Sequence, residues 1–358
     1  MTDAPLITVV IPVYGVGGYL GQCLDSVLGQ VPPDWPAGLE VIAVDDASPD
    51  GCGPLLDERA AADPRLIVRH LPATAGPGNA RNVGLAGATG RYVWFVDGDD
   101  KITAGSLTAI AAALADPGDP EPDLLLIDYQ DWFADGGTGP SPGTAVLASA
   151  PRGVFTLAED PAVIDLTMTA WSKLFRREFL TALGEPFRPG IHEDIPVTCA
   201  ALLTGRIAAL NRVCYSYRRS RGGSFMATTS SAHLAVFDAY QEVFARLDKL
   251  APDGSPAVTP RVRHAVFERA IWHYSAVLQT TGAGFGPLGR PGLVPRHERR
   301  AFFERMHADF IRYAPDGYRP PTGARGAKFR LIQRGAYWAY EALEPINRAR
   351  VALRSALR

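Results

Sequence analysis

The first hundred residues alternate two different hydrophobic periods, and this alternation narrows the possible folds more than any other feature of the chain. "LITVVIPVY" (6–14), "LEVIAVDD" (39–46), "RLIVRHL" (65–71) and "RYVWFVD" (91–97) are near-continuous apolar runs rich in β-branched and aromatic residues. Between them lie "GGYLGQCLDSVLGQ" (17–30), with helical spacing at Leu20, Leu24, Val27 and Leu28, then "GCGPLLDERAAAD" (51–63) and "GNARNVGLAGA" (78–88). Strands that are apolar throughout must be covered on both faces, and a helix in each crossover supplies that cover. The pattern predicts an α/β protein built on a parallel sheet with right-handed crossovers.

Ligands of such sheets bind outside the carboxyl ends of the strands. Here those ends carry acids: Asp45 and Asp46 after the second run, and Asp97, Asp99 and Asp100 after the fourth, in "YVWFVDGDDK". Three acids at one strand end repel each other and need a cation, an arginine or solvent. Asp97 and Asp99, two residues apart, are spaced to converge on one Mg²⁺ or Mn²⁺, which would bind diphosphate oxygens with its remaining positions. The competing reading is an Asp-rich turn with Asp100 entering the next helix. The second acid pair on the same rim tips the balance toward a site. "GVGGYL" (15–20) imitates a dinucleotide fingerprint, but Leu20 stands where the third glycine belongs, and a Gly-rich turn before a helix explains it as well.

The rest of the composition mainly excludes. With 358 residues, 47% hydrophobic and 21% charged, the chain has ordinary soluble composition and room for about two domains. A net charge of −2 offers no overall field for nucleic acid. Cys23, Cys52, Cys199 and Cys214 are scattered, which argues against a disulfide framework or a structural zinc site and suits a reducing cytoplasm. Residues 6–14 have no basic flank before them and read as a strand, not a signal peptide. No apolar stretch reaches the ~18 residues a membrane span needs.

Further along, 104–115 reads as a helix and "DLLLIDYQDWF" (123–133) as a strand before a Gly/Pro-rich loop (135–143). Mixed structure follows to about 225, with a strand at 213–218; helical patterns take over at 233–250 and 261–279, and 281–295 is a Gly/Pro-rich connection. The tail from 325 to 358 carries eight basic residues against Glu341 and Glu344, with Pro345 dividing it. Three regions are expected: 1–225, 226–320 and 321–358.

Four ordered pieces, "ITVVIPVYGVGGYLGQCLDSVLGQ", "LEVIAVDDASPDG", "GPGNARNVGLAGATGRYVWFVDGDD" and "WSKLFRREFL", together resemble the inverting GT-A family 2 glycosyltransferases over about residues 5 to 225. The resemblance implies a Rossmann-like, mostly parallel GT-A sheet in a catalytic domain over 1–225, and metal-dependent transfer of a sugar from a nucleoside diphosphate donor, with Mg²⁺ or Mn²⁺ as cofactor. It implies that Asp46 and the backbone near Pro12 and Tyr14 hold the base, uracil by family habit. Asp97 and Asp99 would form the DxD motif, Asp99 being the nearer metal ligand, with Asp100 beside the sugar or the helix start. "GIHEDIPVTCAALL" (190–203) resembles the family's Glu-Asp motif and makes Asp194 the base with Glu193 in support, or the reverse; an acidic helix cap is the plainer alternative. His192 receives no role.

Arg81 and Lys173 match family positions near the nucleotide, although an arginine paired to a strand-end aspartate would serve structure alone. Arg218, Arg219, Arg221 and Ser224, in "YSYRRSRGGSFM" (215–226), are candidates to clamp a diphosphate. Trp171 offers a stacking face for an acceptor sugar, against the commoner fate of a buried aromatic. The acceptor would be a glycan, a polyol-phosphate polymer or a lipid-linked hydroxyl, of the kind found in cell-envelope polysaccharide and teichoic acid. The basic aromatic tail suits either the inner face of an anionic membrane or a dimer or partner contact. A nucleotidyltransferase would bring a basic phosphate loop after the first strand, and "IPVYGVGGYL" has no Lys or Arg. A non-catalytic nucleotide- or glycan-binding module would not need acids at both motifs.

Overall fold

The structure, a computed structural model, describes residues 4–115, 120–166, 168–184, 186–219, 228–251, 256–279 and 292–343. The chain divides into two compact units, Met1–Arg218 and Arg219–Arg358.

The first unit opens with β1 (Ile7–Val13), α1 (Gly17–Leu28), β2 (Leu39–Asp45), α2 (Cys52–Ala62), β3 (Leu66–His70), α3 (Pro77–Gly87) and β4 (Tyr92–Phe95). β1 pairs in parallel with β2 on one side and β4 on the other, so Ile7 stands level with both Leu39 and Tyr92. All seven residues of β1 are buried, as expected of a central strand with helices over both faces. α3 lies so close to β1 that a Cβ on Gly84 would collide with Val10.

β5 (Lys101–Ile102), α4 (Ser106–Ala115), β6 (Leu124–Trp132), β7 (Thr138–Pro140), α5 (Thr144–Ser149), β8 (Lys173–Arg176), α6 (Arg177–Ala182), α7 (Asp194–Thr204) and β9 (Ile207–Arg218) complete the unit. The strands run in the order β3-β2-β1-β4-β8-β6-β9-β5, with β7 on β6. The expected parallel arrangement holds across β3-β2-β1-β4 and again between β6 and β9. β8 is antiparallel to both β4 and β6, and β5 to β9, so the sheet as a whole is mixed. β8 has four residues and β5 two, too few to show a period in the sequence. α7 is buried from Ile195 to Leu203, so it is a central helix apolar on every side, with its amino end at the sheet's rim.

The second unit is helical: α8 (Ala235–Leu250), α9 (Pro260–Leu278), α10 (Arg299–Tyr313), α11 (Gly323–Gln333) and α12 (Tyr337–Glu341). The stripe Phe237, Tyr240, Phe244 and Leu247 is fully buried, with Phe237 against Tyr274 and Phe302 and Phe244 stacked on Tyr313 at 4.0 Å. Phe329, Ile332 and Tyr340, from the basic tail, are buried within this unit, whereas Trp338 is 74% exposed. Pro345 and the last basic residues lie outside the described residues. Among the described residues, no helix is long and apolar enough to cross a membrane.

Candidate active site at the strand ends

β1, β2 and β4 end side by side, and the carboxyl ends of β2 and β4 carry both acid clusters singled out from sequence. At the end of β2 both acids are buried and both are engaged. Asp46 Oδ1 accepts the Ala75 N–H (2.7 Å) and Oδ2 the Gly76 N–H (2.8 Å), while its own N–H donates to Val13 O (2.9 Å). Gly76 has φ +88°, a conformation that suits glycine and lets both N–H groups of this loop face one carboxylate. Ala47, directly after Asp46, holds φ +55°, an uncommon position for a residue with a Cβ and one found often at functional loops. Asp45 turns the other way: Oδ2 meets His70 Nδ1 (2.9 Å) and Oδ1 accepts the Ser48 N–H (2.9 Å). Pro12 is buried within β1, and Tyr14, just past the strand, is 37% exposed on the rim beside Asp46's strand.

The three acids after β4 take three different places. Asp100 points inward, accepting the Tyr215 O–H (2.7 Å) and the Arg218 N–H (2.7 Å). Burial, with Asp99 and Asp97 adding repulsion, raises its carboxyl well above the usual range. Asp100 does lie in a turn, its N–H bonding Asp97 O (3.0 Å), but the turn leads into β5 at Lys101 and Asp100 enters no helix. Asp97 is half-buried and its Oδ1 accepts from Arg81 Nη2 (2.8 Å). Asp99 is half-buried, and its carbonyl accepts from Arg218 Nε (2.7 Å). Between the two lies Gly98, where a Cβ would come within 3.2 Å of the Pro12 carbonyl, so the turn can press against β1. The Arg218 guanidinium also donates to Gln22 Oε1 (2.8 Å) and lies over the rings of Trp132 (4.0 Å) and Tyr19 (4.5 Å).

Arg81 links this strand end to α7. It is buried on α3, bonded through Nη2 to Asp97 and through Nη1 to Glu193, the residue before α7. Burial alone would lower its pKa, but Asp97, Glu193 and Asp194 raise it further, so the charge is permanent. Asp194, the first residue of α7, accepts the Ala170 N–H at Oδ2 (3.3 Å). Burial and then Glu193 push its carboxyl up to about 7, against the opposing pull of Arg81. His192, immediately upstream, is buried with φ +61°. The two acids of "HED" are therefore unlike: Glu193 is held by a guanidinium, while Asp194 sits near neutrality with a backbone amide.

The remaining candidates are spread more widely. Lys173 is buried, its Nζ donating to Thr169 O (3.0 Å) and Ser172 Oγ (2.8 Å). Trp171 is buried and stacks on Tyr215 (4.5 Å, 12°) and Tyr217 (5.4 Å, 11°), which is the buried-aromatic fate. Arg219 is half-buried after β9, and Arg221 and Ser224 lie outside the described residues. Sequence reasoning missed Tyr215, His70 and the Ala75–Gly76 amides. Only Tyr215 had a signal, the period of two in "YSYR" that puts Tyr215 and Tyr217 on one face.

Asp97 and Asp99 present hard carboxylate oxygens, and no group of three or more His, Cys, Asp or Glu is arranged to hold a metal among the described residues. Such a pair fits a Mg²⁺ or Mn²⁺ that draws its other ligands from phosphate and water, and does not fit a cage of protein ligands alone.

Comparison with known proteins agrees with this architecture. The family model described as Glycosyl transferase family 2 matches residues 8–120. The chain is 30% identical to glycosyltransferase GlyG of Streptococcus pneumoniae over 236 residues, 62% of this chain and 73% of GlyG. It is 38% identical to the uncharacterized glycosyltransferase EpsJ of Bacillus subtilis over 100 residues, 28% of either chain, so it spans under a third of that protein's length. The crystal structure of residues 1–349 of Staphylococcus aureus TarS in complex with UDP-GlcNAc superposes with a TM-score of 0.70 at 21% identity, covering 95% of this chain and 90% of that one. This last likeness establishes the GT-A fold, helical C-terminal region included. The match to GlyG, together with the family model over the strand ends, shows that the chain belongs to glycosyl transferase family 2.

Proposed function

We propose that this protein transfers a sugar, with inversion, from a uridine diphosphate sugar to a hydroxyl of a glycan or polyol-phosphate acceptor. One observation carries the reading: Asp97, Asp99, Glu193 and Asp194 gather at one rim, and Arg81 bonds Asp97 and Glu193. Asp194 is the acid that this bridge passes over. The donor class is supported by TarS, which is crystallised with UDP-GlcNAc.

In this reading Asp46 and the backbone around Pro12 and Tyr14 receive the base, and Arg218 steadies the turn that carries Asp99. A Mg²⁺ or Mn²⁺ held by Asp97 and Asp99 would supply positive charge for the departing diphosphate. Asp194, a carboxyl poised near neutral pH, takes the proton of the acceptor hydroxyl. The freed oxygen pair forms the new bond to the anomeric carbon on the face opposite the leaving diphosphate. The old carbon–oxygen bond breaks, and its electron pair leaves on the diphosphate. Glu193, fixed by Arg81, keeps α7 and Asp194 in register with the β4 end.

Calorimetry with UDP, CDP, GDP, TDP and NAD, with and without Mn²⁺, tests this. UDP binding that needs Mn²⁺ and is lost in Asp99→Asn is the expected result. No metal-dependent binding of any nucleotide would leave a non-catalytic module, and tight NAD binding without metal would revive the dinucleotide reading.

A further inference from the structure

We infer that Lys173 is a positioning residue for Asp194, acting through the single peptide group that joins Thr169 to Ala170. This rests on Asp194 being the base. The carbonyl of that peptide accepts from Lys173 Nζ (3.0 Å), and its N–H donates to Asp194 Oδ2 (3.3 Å). Carbonyl and N–H belong to one conjugated amide, so an ammonium on the oxygen polarises the N–H and makes it a better donor to a carboxylate. Lys173 is 1% exposed, which spares this chain of bonds the screening of bulk water.

The surrounding loop is built to hold that peptide still. Ser172 Oγ donates to Thr169 O (3.2 Å) and accepts from both Thr169 Oγ1 (3.1 Å) and Lys173 Nζ (2.8 Å). The Trp171 carbonyl accepts the Trp94 indole N–H (2.8 Å), and the Ser172 carbonyl accepts the Ile127 N–H (3.2 Å). The loop is thus tied to β4 and β6 while it offers one amide to the start of α7. A buried ammonium is costly to desolvate, and a methionine of similar length would fill the space without that cost. The peptide that this ammonium grips leads to Asp194.

The charges facing Asp194 are Glu193 beside it, Asp97 at the end of β4, Arg81 on α3 and Lys173 on β8. The two acids favour its protonated form and the two cations its ionised form. Removing the Lys173 charge should therefore make Asp194 harder to ionise and move the acid limb of the rate profile to higher pH.

The experiment follows UDP release by the full chain with Mn²⁺ from UDP-glucose, UDP-galactose and their N-acetylated forms, as a function of pH. Lys173→Met should lower turnover at pH 7 by about fivefold and raise the acid limb by about one pH unit, with UDP affinity within about twofold of wild type. Lys173→Arg, which keeps the charge, should hold the limb in place. Ethylammonium added to Lys173→Ala should return the limb toward its original position, because a small cavity lined by Asp128, Ser141 and Ser172 adjoins the ammonium. A limb that stays put in Lys173→Met overturns the inference. So does a loss of UDP affinity, which would make Lys173 a nucleotide contact. Wild-type turnover in Asp194→Asn would instead sink the proposed function itself, so the two failures can be told apart.

Discussion

The ends of β2 and β4 both finish in clustered acids, yet they neutralise them in opposite ways. At β2, Asp46 is met by two backbone amides and Asp45 by an amide and a titratable imidazole, so no permanent cation stands among these partners. At β4, Asp97 and Glu193 share one permanent cation, Asp100 is buried against a tyrosine hydroxyl and a backbone amide, and Asp99 stands half-buried on the rim. In the proposed function the first end receives the neutral ring of the base. The second concentrates negative charge around one guanidinium, and in the proposed function it takes the divalent cation and its diphosphate. Two acid clusters that both follow an apolar strand in the sequence thus have different electrostatic character because of what the folded chain brings to them.

The sharpest way to break this contrast is Arg81→Met. It would leave Asp97 and Glu193 facing each other without their shared cation, and removing one partner of a buried ion pair typically costs about 3–5 kcal/mol. Urea denaturation should show a loss of unfolding free energy of that size, and adding Glu193→Gln to the same chain should recover part of it. A loss under about 1 kcal/mol would mean that the bridge is ornamental and that the β4 end is no different from a solvated surface pair.

Asp46→Asn probes the other end and should cost less. Whichever oxygen becomes an amide nitrogen, a donor then faces the N–H of Ala75 or Gly76 at about the same distance, and a buried backbone donor goes unpaired. Such a group costs about 1–3 kcal/mol. The expected result is a smaller midpoint shift than for Arg81→Met, together with weaker UDP binding both with and without Mn²⁺. If Asp46→Asn weakened UDP only in the presence of Mn²⁺, the assignment of the base to β2 and the metal to β4 would be reversed.

The parts legible in the sequence were those carried by periodicity and by local spacing. The four β-branched runs became β1 to β4 within a few residues, and the acids fell on one rim because parallel strands end on the same side. The helical pattern read at 233–250 is α8, on which Phe237, Tyr240, Phe244 and Leu247 form a buried stripe. The antiparallel β8 and β5 were illegible because they are short, and the reach of β9 back to Ile207 because its first half has no alternation of burial. The partners of the acids were harder still. His70 lies 25 positions from Asp45, and Glu193 lies 112 from Arg81. No local pattern encodes such pairs, which exist only once the crossovers have stacked α3 and α7 against the strand ends. Lys173 shows the same limit, since its spacing to Thr169 is local but the bond from Ala170 to Asp194 is not.

The smallest expected effect concerns His70, and it separates the two ends by pH. Its ring is held between Asp45 (2.9 Å) and Asp57 (3.1 Å), and both acids raise its pKa above the ordinary value for histidine. The folded state therefore binds this proton more tightly than the unfolded chain. The stability it contributes is complete below the unfolded pKa near ~6.5 and is lost as pH rises through the folded value. Asp194, raised to about 7, also favours the protonated fold, but its contribution declines earlier, between the unfolded carboxylate value near ~4 and about 7. Melting temperatures should thus fall in two windows as pH rises, one belonging to each strand end. His70→Gln should flatten the slope above pH 6.5 and leave the slope below it unchanged. Because the ring is 44% exposed, solvent screens the pair and the change should be a few degrees at most. A slope unchanged above pH 6.5 would show that the imidazole at β2 is neutral in the fold, and would leave the whole pH response of the rim to the acids gathered around Arg81.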